Sequence, residues 1–335
     1  MLEGKIVLRA IITGVAGQDG SYLSELLLDK KYEIYGVSRR KSVNEGTQNI
    51  NHLLDNKNFN LIEGDLSDPV LMSRLIYNIR PHEFYNIGAA SNVGYSFKNP
   101  IEVFNTNAQP IIMHLSYINE MSNSTRYYQA STSELFGGID CPESGYSEDS
   151  PFNPRSPYAV AKAAAHMTIN NYREAYGIYA CAGILHNHSS KRRGLDFATR
   201  KITNGIAKIK LGLADTLKMG NLAPFRDEGH SEDYVRAMWM MMQQDRPKNY
   251  VIATGSGATI EDMFKYVCYL ADLRFEDVYE MDERFMRPSE VPFLKGDSTM
   301  ARAELGWRPK YNWKMLLKEM YENDLRLLSN GQENL

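Results

Sequence analysis

Four residues in two short segments supply groups for acid–base chemistry on an alcohol. Thr132 and Glu134 lie in the segment ASTSELFG, and Tyr158 and Lys162 lie in SPYAVAK. On a helix, Tyr158 and Lys162 form an i,i+4 pair, which puts the ammonium on the same face as the phenol. A free tyrosine has a pKa of about 10, and a neighbouring cation stabilises its charged form. The pair therefore predicts a tyrosine base that takes a proton from a hydroxyl group.

A Tyr-x-x-x-Lys spacing also occurs by chance, as a solvated lysine beside a core aromatic. The N-terminal segment favours the catalytic interpretation. A strand-like run, Ile6–Thr13, passes into a glycine-rich turn and then into a helix-like segment over 21–31, with a second strand at Glu33–Ser38. Glycines at such a junction permit a tight turn next to a pyrophosphate, and the helix N-terminus supplies amide donors. The residues of this predicted dinucleotide site are Gly14, Gly17, Gln18, Asp19 and Gly20.

The end of the second predicted strand indicates which dinucleotide is bound. NAD sites usually place an acidic residue there to accept from the ribose hydroxyls, whereas this chain has Arg39 and Arg40. Guanidinium groups attract a 2′-phosphate, so the sequence predicts NADP. The alternative is that Arg39-Arg40-Lys41 is an ordinary run of surface cations that is solvated or contacts another subunit.

Strand and helix patterns alternate through the first half of the chain, as in a Rossmann-type doubly wound parallel sheet. Helices are predicted over 69–79, 101–121 and 157–176. Ligands of such sheets bind beyond the carboxyl ends of the strands. The residues predicted there, besides those named above, are Asp65, Leu66, Ala89 and Ser91. The alternative role for Asp65 is to cap the helix that follows.

The pattern becomes shorter and more irregular after Leu185, which predicts a smaller C-terminal α/β lobe for substrate. We expect a cofactor domain over 1–185, an interleaved substrate lobe over 186–328 and a flexible tail over 329–335.

Composition narrows the class of protein. The 335 residues are 43% hydrophobic with a net charge of −3, which is typical of a globular enzyme and gives no global attraction to nucleic acid. The sequence has no apolar run near the roughly 20 residues of a membrane span and no signal-peptide pattern, so we expect a cytoplasmic protein. Its three cysteines lack metal-ligand spacing, so no metal site is predicted.

Six separated passages resemble the extended short-chain dehydrogenase/reductases, and within them the GDP-mannose 4,6-dehydratase family. They are GQDGSYLSELLL, YQASTSELFG, PRSPYAVAK, HNHSSKRRG, TRKI and RPSEV, and the resemblance runs from about Val7 to Met320. It implies that Thr132, Glu134, Tyr158 and Lys162 are the catalytic set. It also implies GDP-mannose as substrate, NADP as a retained cofactor, and a homodimer or homotetramer.

The remaining site residues come from the same resemblance. Those implied to bind the nucleotide sugar are Asn187, Arg193, Lys201, Arg226, Arg287 and Glu290. Those implied to join the cofactor site, besides the glycine turn and the catalytic pair, are His188 and Arg193. Arginine suits a diphosphate because its planar fork binds phosphate oxygens in pairs.

Two other functions share part of this pattern. A nucleotide-sugar 4-epimerase needs the glycine turn, Tyr158 and Lys162 but no base for C5, and a non-catalytic NADP-binding sensor needs none of the catalytic set. The chain also departs from the family pattern. Ala90 and Asn92 stand where glutamine and histidine are usual, and Glu228 replaces a usual tryptophan. These departures raise the hypothesis that the keto product is further reduced by NADPH to GDP-rhamnose.

Overall fold

The computed structural model describes residues 7–39, 47–121, 124–138 and 140–331. Its strands are β1 (Arg9–Thr13), β2 (Glu33–Ser38), β3 (Phe59–Glu63), β4 (Glu83–Asn86), β5 (Arg126–Thr132), β6 (Ala180–Leu185), β7 (Asn187–Ser189), β8 (Leu217–Met219), β9 (Phe225–His230), β10 (Tyr250–Ile252), β11 (Gly257–Thr259), β12 (Tyr279–Met281) and β13 (Phe293–Leu294). Its helices are α1 (Gln18–Asp29), α2 (Pro69–Ile79), α3 (Val93–Lys98), α4 (Pro100–Asn107), α5 (Gln109–Glu120), α6 (Pro157–Tyr176), α7 (Ala198–Lys210), α8 (Ser231–Met242), α9 (Ile260–Ala271), α10 (Phe275–Val278), α11 (Thr299–Glu304) and α12 (Trp313–Ser329). Short 3-10 helices span Gln48–Leu53, Ser133–Phe136 and Glu283–Phe285.

The main sheet of the described residues has seven strands in the order β10-β6-β5-β4-β1-β2-β3. Strand β1 pairs in parallel with both β2 and β4, β2 with β3, and β4 with β5. The strand order therefore reverses between β1 and β4, which is where ligands bind in doubly wound folds. This topology confirms the predicted fold class.

The chain forms two compact units, and each contains several separate segments. The first comprises the chain up to Thr132 together with Pro157–Ile184 and Val235–Tyr250. Its core packs apolar side chains of the sheet, such as Ile11 and Phe84, with side chains of helices α2, α5 and α6. Burial of these side chains is the main force that holds the sheet and helices together.

The second unit comprises Ser133–Ser156, Leu185–Tyr234 and the chain from Val251 onward. It contains a four-stranded sheet in which β9 pairs with β7, β11 and β13. Its core packs side chains from α7, α9 and α12, including Ile206, Phe264 and Leu317. Strand β9 lies at the centre of this sheet and carries three consecutive charged residues, Arg226, Asp227 and Glu228.

One predicted helix is wrong in its extent. The segment 101–121 forms two helices, α4 and α5, which are separated at Ala108. Pro110 is in the first turn of α5. Because proline has no backbone N–H and restricts the residue before it, a single helix cannot continue through this point.

Helix α12 extends to Ser329, and residues 332–335 of the predicted tail lie outside the described residues. Across the described part of the chain, none of the helices has the length and apolar character needed to span a bilayer.

Candidate functional site

The glycine turn after β1 is shaped by the close approach of two backbone segments. Gly14 has a φ of +70°, and a Cβ atom there would lie 2.6 Å from Gly88 Cα. A Cβ at Gly20 would lie 2.4 Å from the carbonyl oxygen of Gly14. Both positions therefore require glycine.

Helix α1 begins directly after this turn. Its N-cap is Gly17, and glycine has no side chain that could cap the helix. Gln18 and Asp19 form the first turn with Gly20. The first amide N–H groups of a helix have no partner within the helix and favour an anion, so the turn fits a dinucleotide pyrophosphate.

A buried chain of hydrogen bonds connects this turn to the centre of the sheet. Its members, in order, are Gly88, Thr13, Asn86, Gln129, Ala130 and Lys162. Gly88 N donates to Thr13 Oγ1 at 3.1 Å, and Thr13 Oγ1 donates to Asn86 Oδ1 at 2.7 Å. Asn86 Nδ2 donates to Gln129 Oε1 at 2.8 Å.

The last acceptor in this chain of hydrogen bonds is a backbone carbonyl, which accepts from two side chains. Gln129 Nε2 and Lys162 Nζ both donate to Ala130 O, each at 2.9 Å. The first group of the chain, an N–H, can only donate and the last, a carbonyl, can only accept, so the orientation of both amide side chains is fixed. No sequence pattern predicts these hydrogen bonds, because Thr13, Asn86 and Gln129 are far apart in the sequence.

The predicted catalytic residues Thr132, Tyr158 and Lys162 all belong to the first unit. Thr132 is the last residue of β5, and Tyr158 and Lys162 lie near the start of α6. Tyr158 is 8% exposed and Lys162 is 3% exposed. Lys162 Nζ lies 6.0 Å from the centre of the Tyr158 ring, as the i,i+4 spacing predicts. Burial lowers the pKa of Lys162 to about 8. The side chain therefore remains mostly protonated at neutral pH, and a charge this close can stabilise a phenolate.

His166 lies one helical turn beyond Lys162 and was missed by the sequence argument. Burial lowers its pKa to about 4, so the ring is neutral at pH 7. Asn249 Nδ2 lies 3.1 Å from Nε2 and can only donate, which makes Nε2 the acceptor and leaves the ring proton on Nδ1. Nδ1 lies 3.1 Å from Ser131 Oγ. This ring therefore orients the strand residue next to Thr132 without adding a charge.

The other predicted cofactor residues in the first unit follow the carboxyl ends of strands. Arg39 is exposed after β2, and Arg40 lies outside the described residues. Leu66 follows β3, and its carbonyl lies 3.0 Å from His114 Nε2. Ala89 and Ser91 follow β4.

The alternative role of Asp65 as a helix cap is wrong. Helix α2 is capped by Asp68, whose carboxylate accepts from Val70 N and Leu71 N. Asp65 Oδ1 instead accepts from the backbone N and the hydroxyl of Ser67, at 2.9 and 2.6 Å.

Glu134 belongs to the second unit, although it is only two residues after Thr132. It lies in a short 3-10 helix and is 8% exposed. Burial raises the pKa of its carboxyl group, and the positive charges of Arg226 and Arg287 oppose that rise. A buried carboxylate with a raised pKa is a stronger base than a solvated one, which suits proton abstraction.

Arg226, Arg287 and Glu290 form one cluster in the second unit. Glu290 Oε1 lies 3.2 Å from Arg226 Nη2 and 3.3 Å from Arg287 Nη1, and it also accepts from Val291 N at 3.1 Å. Arg226 lies on β9 and is buried, whereas Arg287 is 34% exposed. Two guanidinium groups held by one carboxylate oxygen form a cationic site suited to a diphosphate.

The segment that joins Arg287 and Glu290 is not helical, although their i,i+3 spacing equals one helical turn. Pro288 lies between the two residues and disfavours helical geometry at the preceding Arg287.

The remaining predicted substrate residues lie around β7 and α7 in the second unit. Asn187 begins β7. The Arg193 guanidinium lies 3.7 Å from the centre of the Phe197 ring. Lys201 Nζ lies 3.2 Å from the centre of the Phe285 ring. Each of these cations lies against an aromatic face, a cation–π contact that restricts its position.

His188 lies with the second unit's sheet. Its ring stacks on Tyr234 with centres 4.2 Å apart, and Nδ1 lies 2.8 Å from His186 O. These contacts give the imidazole a packing role in β7.

The three departures from the family pattern have different surroundings. Asn107 binds both backbone groups of Ala90, accepting from its N at 2.8 Å and donating to its O at 3.0 Å. Asn92 caps α3 by accepting from Tyr95 N at 3.0 Å. Glu228 is buried on β9, 3% exposed.

Two solved structures match this fold over nearly the whole chain. A dTDP-glucose 4,6-dehydratase from Bacillus anthracis, in complex with NAD, superposes with a TM-score of 0.83 at 20% identity, covering 97% of this chain and 98% of that one. RMD from Pseudomonas aeruginosa, complexed with NADPH, gives a TM-score of 0.78 at 19% identity, covering 96% and 99%. At these identities the likeness shows a shared fold, the Rossmann-type doubly wound sheet described above.

Comparison of the sequence with known proteins shows the family of the chain. A sequence profile described as GDP-mannose 4,6 dehydratase matches residues 11–320. GDP-mannose 4,6 dehydratase 1 of Arabidopsis thaliana is 45% identical over 328 residues, covering 95% of this chain and 90% of that protein. The chain belongs to the GDP-mannose 4,6-dehydratase family.

Proposed function

We propose that the protein converts GDP-D-mannose to GDP-4-dehydro-6-deoxy-D-mannose and water, with NADP as its cofactor. One observation carries the proposal: Glu134 is a buried carboxylate with a raised pKa, positioned two residues after Thr132. A 4,6-dehydration needs such a base at C5, whereas a 4-epimerase does not. Membership in the dehydratase family supports the same reaction.

Oxidation at C4 is assigned to the first-unit residues. Tyr158 takes the proton of the C4 hydroxyl, and Thr132 donates a hydrogen bond to the same oxygen. Lys162 holds its charge beside the phenol ring and so favours the phenolate. When bound, NADP would supply the redox chemistry by taking a hydride from C4 and returning it at C6. Lys162 would also contact the nicotinamide ribose.

Elimination is assigned to Glu134. A ketone at C4 acidifies the proton on C5, and the Glu134 carboxylate removes it. The C6 hydroxyl then leaves as water with the proton that Glu134 took from C5, and C5 regains a proton from solvent when C6 is reduced. The Glu134 pKa is raised mainly by burial, so it depends on exclusion of water from the carboxylate.

The GDP moiety is assigned to the cationic residues of the second unit. Arg193, Arg226 and Arg287 supply guanidinium groups for the diphosphate, and Asn187, Lys201 and Glu290 bind the remainder of the nucleotide sugar. Glu290 already pairs with two of these arginines. Diphosphate binding must therefore compete with this carboxylate for their donors, or share them.

The proposal is tested by incubating the purified protein with GDP-mannose and no added cofactor. We expect a 4-keto sugar that has lost one water, identified by mass spectrometry and NMR. Formation of a C4 epimer with unchanged mass would instead identify an epimerase. Recovery of unchanged GDP-mannose, after NADP has also been added, would contradict both enzymes and favour a binding role.

Cofactor preference gives a prediction for Arg39 and Arg40. If Arg39 and Arg40 bind the 2′-phosphate, replacing both with alanine should weaken NADP about 10- to 100-fold and leave NAD within about twofold, because only NADP loses charge-assisted contacts. Binding of the two dinucleotides to the apoprotein is measured by calorimetry, with Arg80→Ala as a surface-charge control. Equal weakening of NAD and NADP would show that the arginines do not select the cofactor.

The secondary reduction remains a prediction. The 4-keto product fits the site that made it, and Tyr158 can return a proton to the C4 oxygen by microscopic reversibility. Excess NADPH added after complete dehydration should then be consumed and GDP-rhamnose should form. Constant NADPH absorbance with persistence of the keto sugar would restrict the protein to dehydration.

We further propose a homodimer or homotetramer in the cytoplasm. The first part is measured by light scattering of the purified protein across a concentration series. A constant monomer mass of 38.2 kDa would contradict it.

A further inference from the structure

Glu228 is a buried carboxylate at the centre of the second unit's sheet. It lies on β9 and is 3% exposed. Burying a carboxylate is costly unless hydrogen bonds and opposite charge offset the lost hydration. Burial raises the pKa of the Glu228 carboxyl group, and that rise is opposed by the hydrogen bond from Ser189 Oγ at 2.6 Å and by the charges of Arg193 and His188. Residues of the second unit therefore surround this carboxylate with donors and positive charge.

The bond from Ser189 fixes the direction of a longer chain. Ser189 Oγ also lies 2.9 Å from Thr199 Oγ1. A serine hydroxyl has one proton, and here it is donated to the Glu228 carboxylate. Thr199 must then donate to Ser189. Glu228 is thus the final acceptor of a chain that joins β9, the end of β7 and the first turn of α7.

This chain closes the base of a loop rich in positive charge. The loop, here called the basic loop, comprises residues 190–197 and contains Lys191, Arg192 and Arg193. The Ser189–Thr199 bond joins the residues that flank the loop. Inside it, the Arg200 guanidinium donates to the carbonyls of Lys191 and Arg193. The backbone of the basic loop is therefore fixed from its base and from within.

Glu228 also shares a strand face with a proposed phosphate-binding residue. Arg226 is two residues before it on β9, and alternate residues of a strand project from the same face, about 7 Å apart. In the parallel pairing of β7 with β9, Glu228 is the register partner of Asn187. One strand therefore carries Arg226 and also the group that anchors the loop bearing Arg193.

We propose that Glu228 is a positioning residue for the nucleoside-diphosphate site, holding the basic loop through Ser189 and Thr199 so that Arg193 meets the ligand without reorganising. This proposal rests on the proposed function, since it takes the ligand to be a nucleoside diphosphate sugar. Preorganised binding groups lose less entropy when the ligand arrives. Glu228 thus acts on affinity through the loop and takes no part in the reaction at C4 or C5.

The test measures GDP binding by calorimetry and dehydration of GDP-mannose by steady-state kinetics. Glu228→Leu and Ser189→Ala each break the chain, so we expect the Kd for GDP and the KM for GDP-mannose to rise about tenfold with kcat within twofold. Glu228→Gln still offers Ser189 an acceptor oxygen and should keep GDP affinity within about threefold. The double variant Ser189→Ala/Glu228→Leu should bind no more weakly than either single variant, because both changes break one chain.

A matched control separates positioning from general stability. Ser298→Ala removes another buried hydroxyl of the second unit, which donates to Ala253 O at 2.8 Å, and it should leave GDP affinity unchanged. Loss of affinity in Ser298→Ala equal to that in Ser189→Ala, additive losses in the double variant, or a loss in Glu228→Gln as large as in Glu228→Leu would each overturn the proposal. Failure of the proposed function would show differently, as absence of GDP binding or of a keto product in the unaltered protein.

Discussion

Replacing Glu134 with glutamine is expected to reduce formation of the keto-deoxy sugar by about 10²- to 10⁴-fold, the usual contribution of a general base. Glutamine has nearly the same shape but cannot accept the C5 proton. Oxidation at C4 depends on Tyr158 and Lys162, so it should still proceed. The enzyme should therefore stop after its first step, with reduced nicotinamide absorbance appearing on mixing with GDP-mannose and no dehydrated product.

Tyr158→Phe is the matched control for that experiment. It removes the phenol oxygen that takes the proton of the C4 hydroxyl, so it should block the reaction before any reduced cofactor forms. Both variants are measured by stopped-flow absorbance and by mass spectrometry of the sugar. Normal product formation by Glu134→Gln would remove Glu134 from the mechanism, and a loss of absorbance equal to that of Tyr158→Phe would place it in the oxidation step.

The pH dependence of the elimination follows from the same residue. Glu134 must be ionised to act as a base, and burial raises its pKa above the ordinary value. The rate of elimination should therefore fall as pH falls through that raised pKa, at a higher pH than a solvated glutamate would give. In Glu134→Gln this acid limb should be absent from the residual rate.

Local patterns predicted the parts of the fold that depend on neighbouring residues. Helix α2 begins and ends at the predicted residues, and so does strand β2, because hydrophobic periodicity and breaking residues mark their ends. The i,i+4 spacing likewise predicted that Lys162 lies beside Tyr158, since both belong to one helix. The break at Ala108 had a local signal in Pro110, which the periodicity of the surrounding apolar residues outweighed.

Contacts between distant segments could not be predicted in this way. The acceptor shared by Gln129 and Lys162 is a backbone carbonyl, which has no sequence signature. The surroundings of Glu228 depend on Ser189, which is 39 residues away along the chain. A departure from a family pattern shows that one side chain differs, but the new partner of the substituted side chain is a property of the fold.

The second large effect is expected at the buried ion pair of Arg200 and Asp324. Arg200 Nη2 lies 2.6 Å from Asp324 Oδ1, with both side chains at most 2% exposed, and Thr203 Oγ1 donates to Asp324 Oδ2 at 2.7 Å. Arg200 also donates hydrogen bonds to two backbone carbonyls of the basic loop, those of Lys191 and Arg193. Removing one member of such a pair leaves an uncompensated buried charge, which typically costs about 3–5 kcal/mol. Arg200→Met and Asp324→Leu should each destabilise the second unit by this amount.

Urea unfolding followed by tryptophan fluorescence measures this effect, because Trp307 and Trp313 both lie in the second unit. The double variant Arg200→Met/Asp324→Leu removes both charges and should recover much of the lost stability, since apolar replacement of a whole buried pair is often neutral. Arg200→Met also removes the donor to the carbonyls of Lys191 and Arg193, so GDP affinity should fall in this variant and remain low in the double variant. A double variant as unstable as the sum of the single variants would show that the two charges do not stabilise each other. Full recovery of GDP affinity would show that the basic loop is held by its base alone, through Thr199, Ser189 and Glu228.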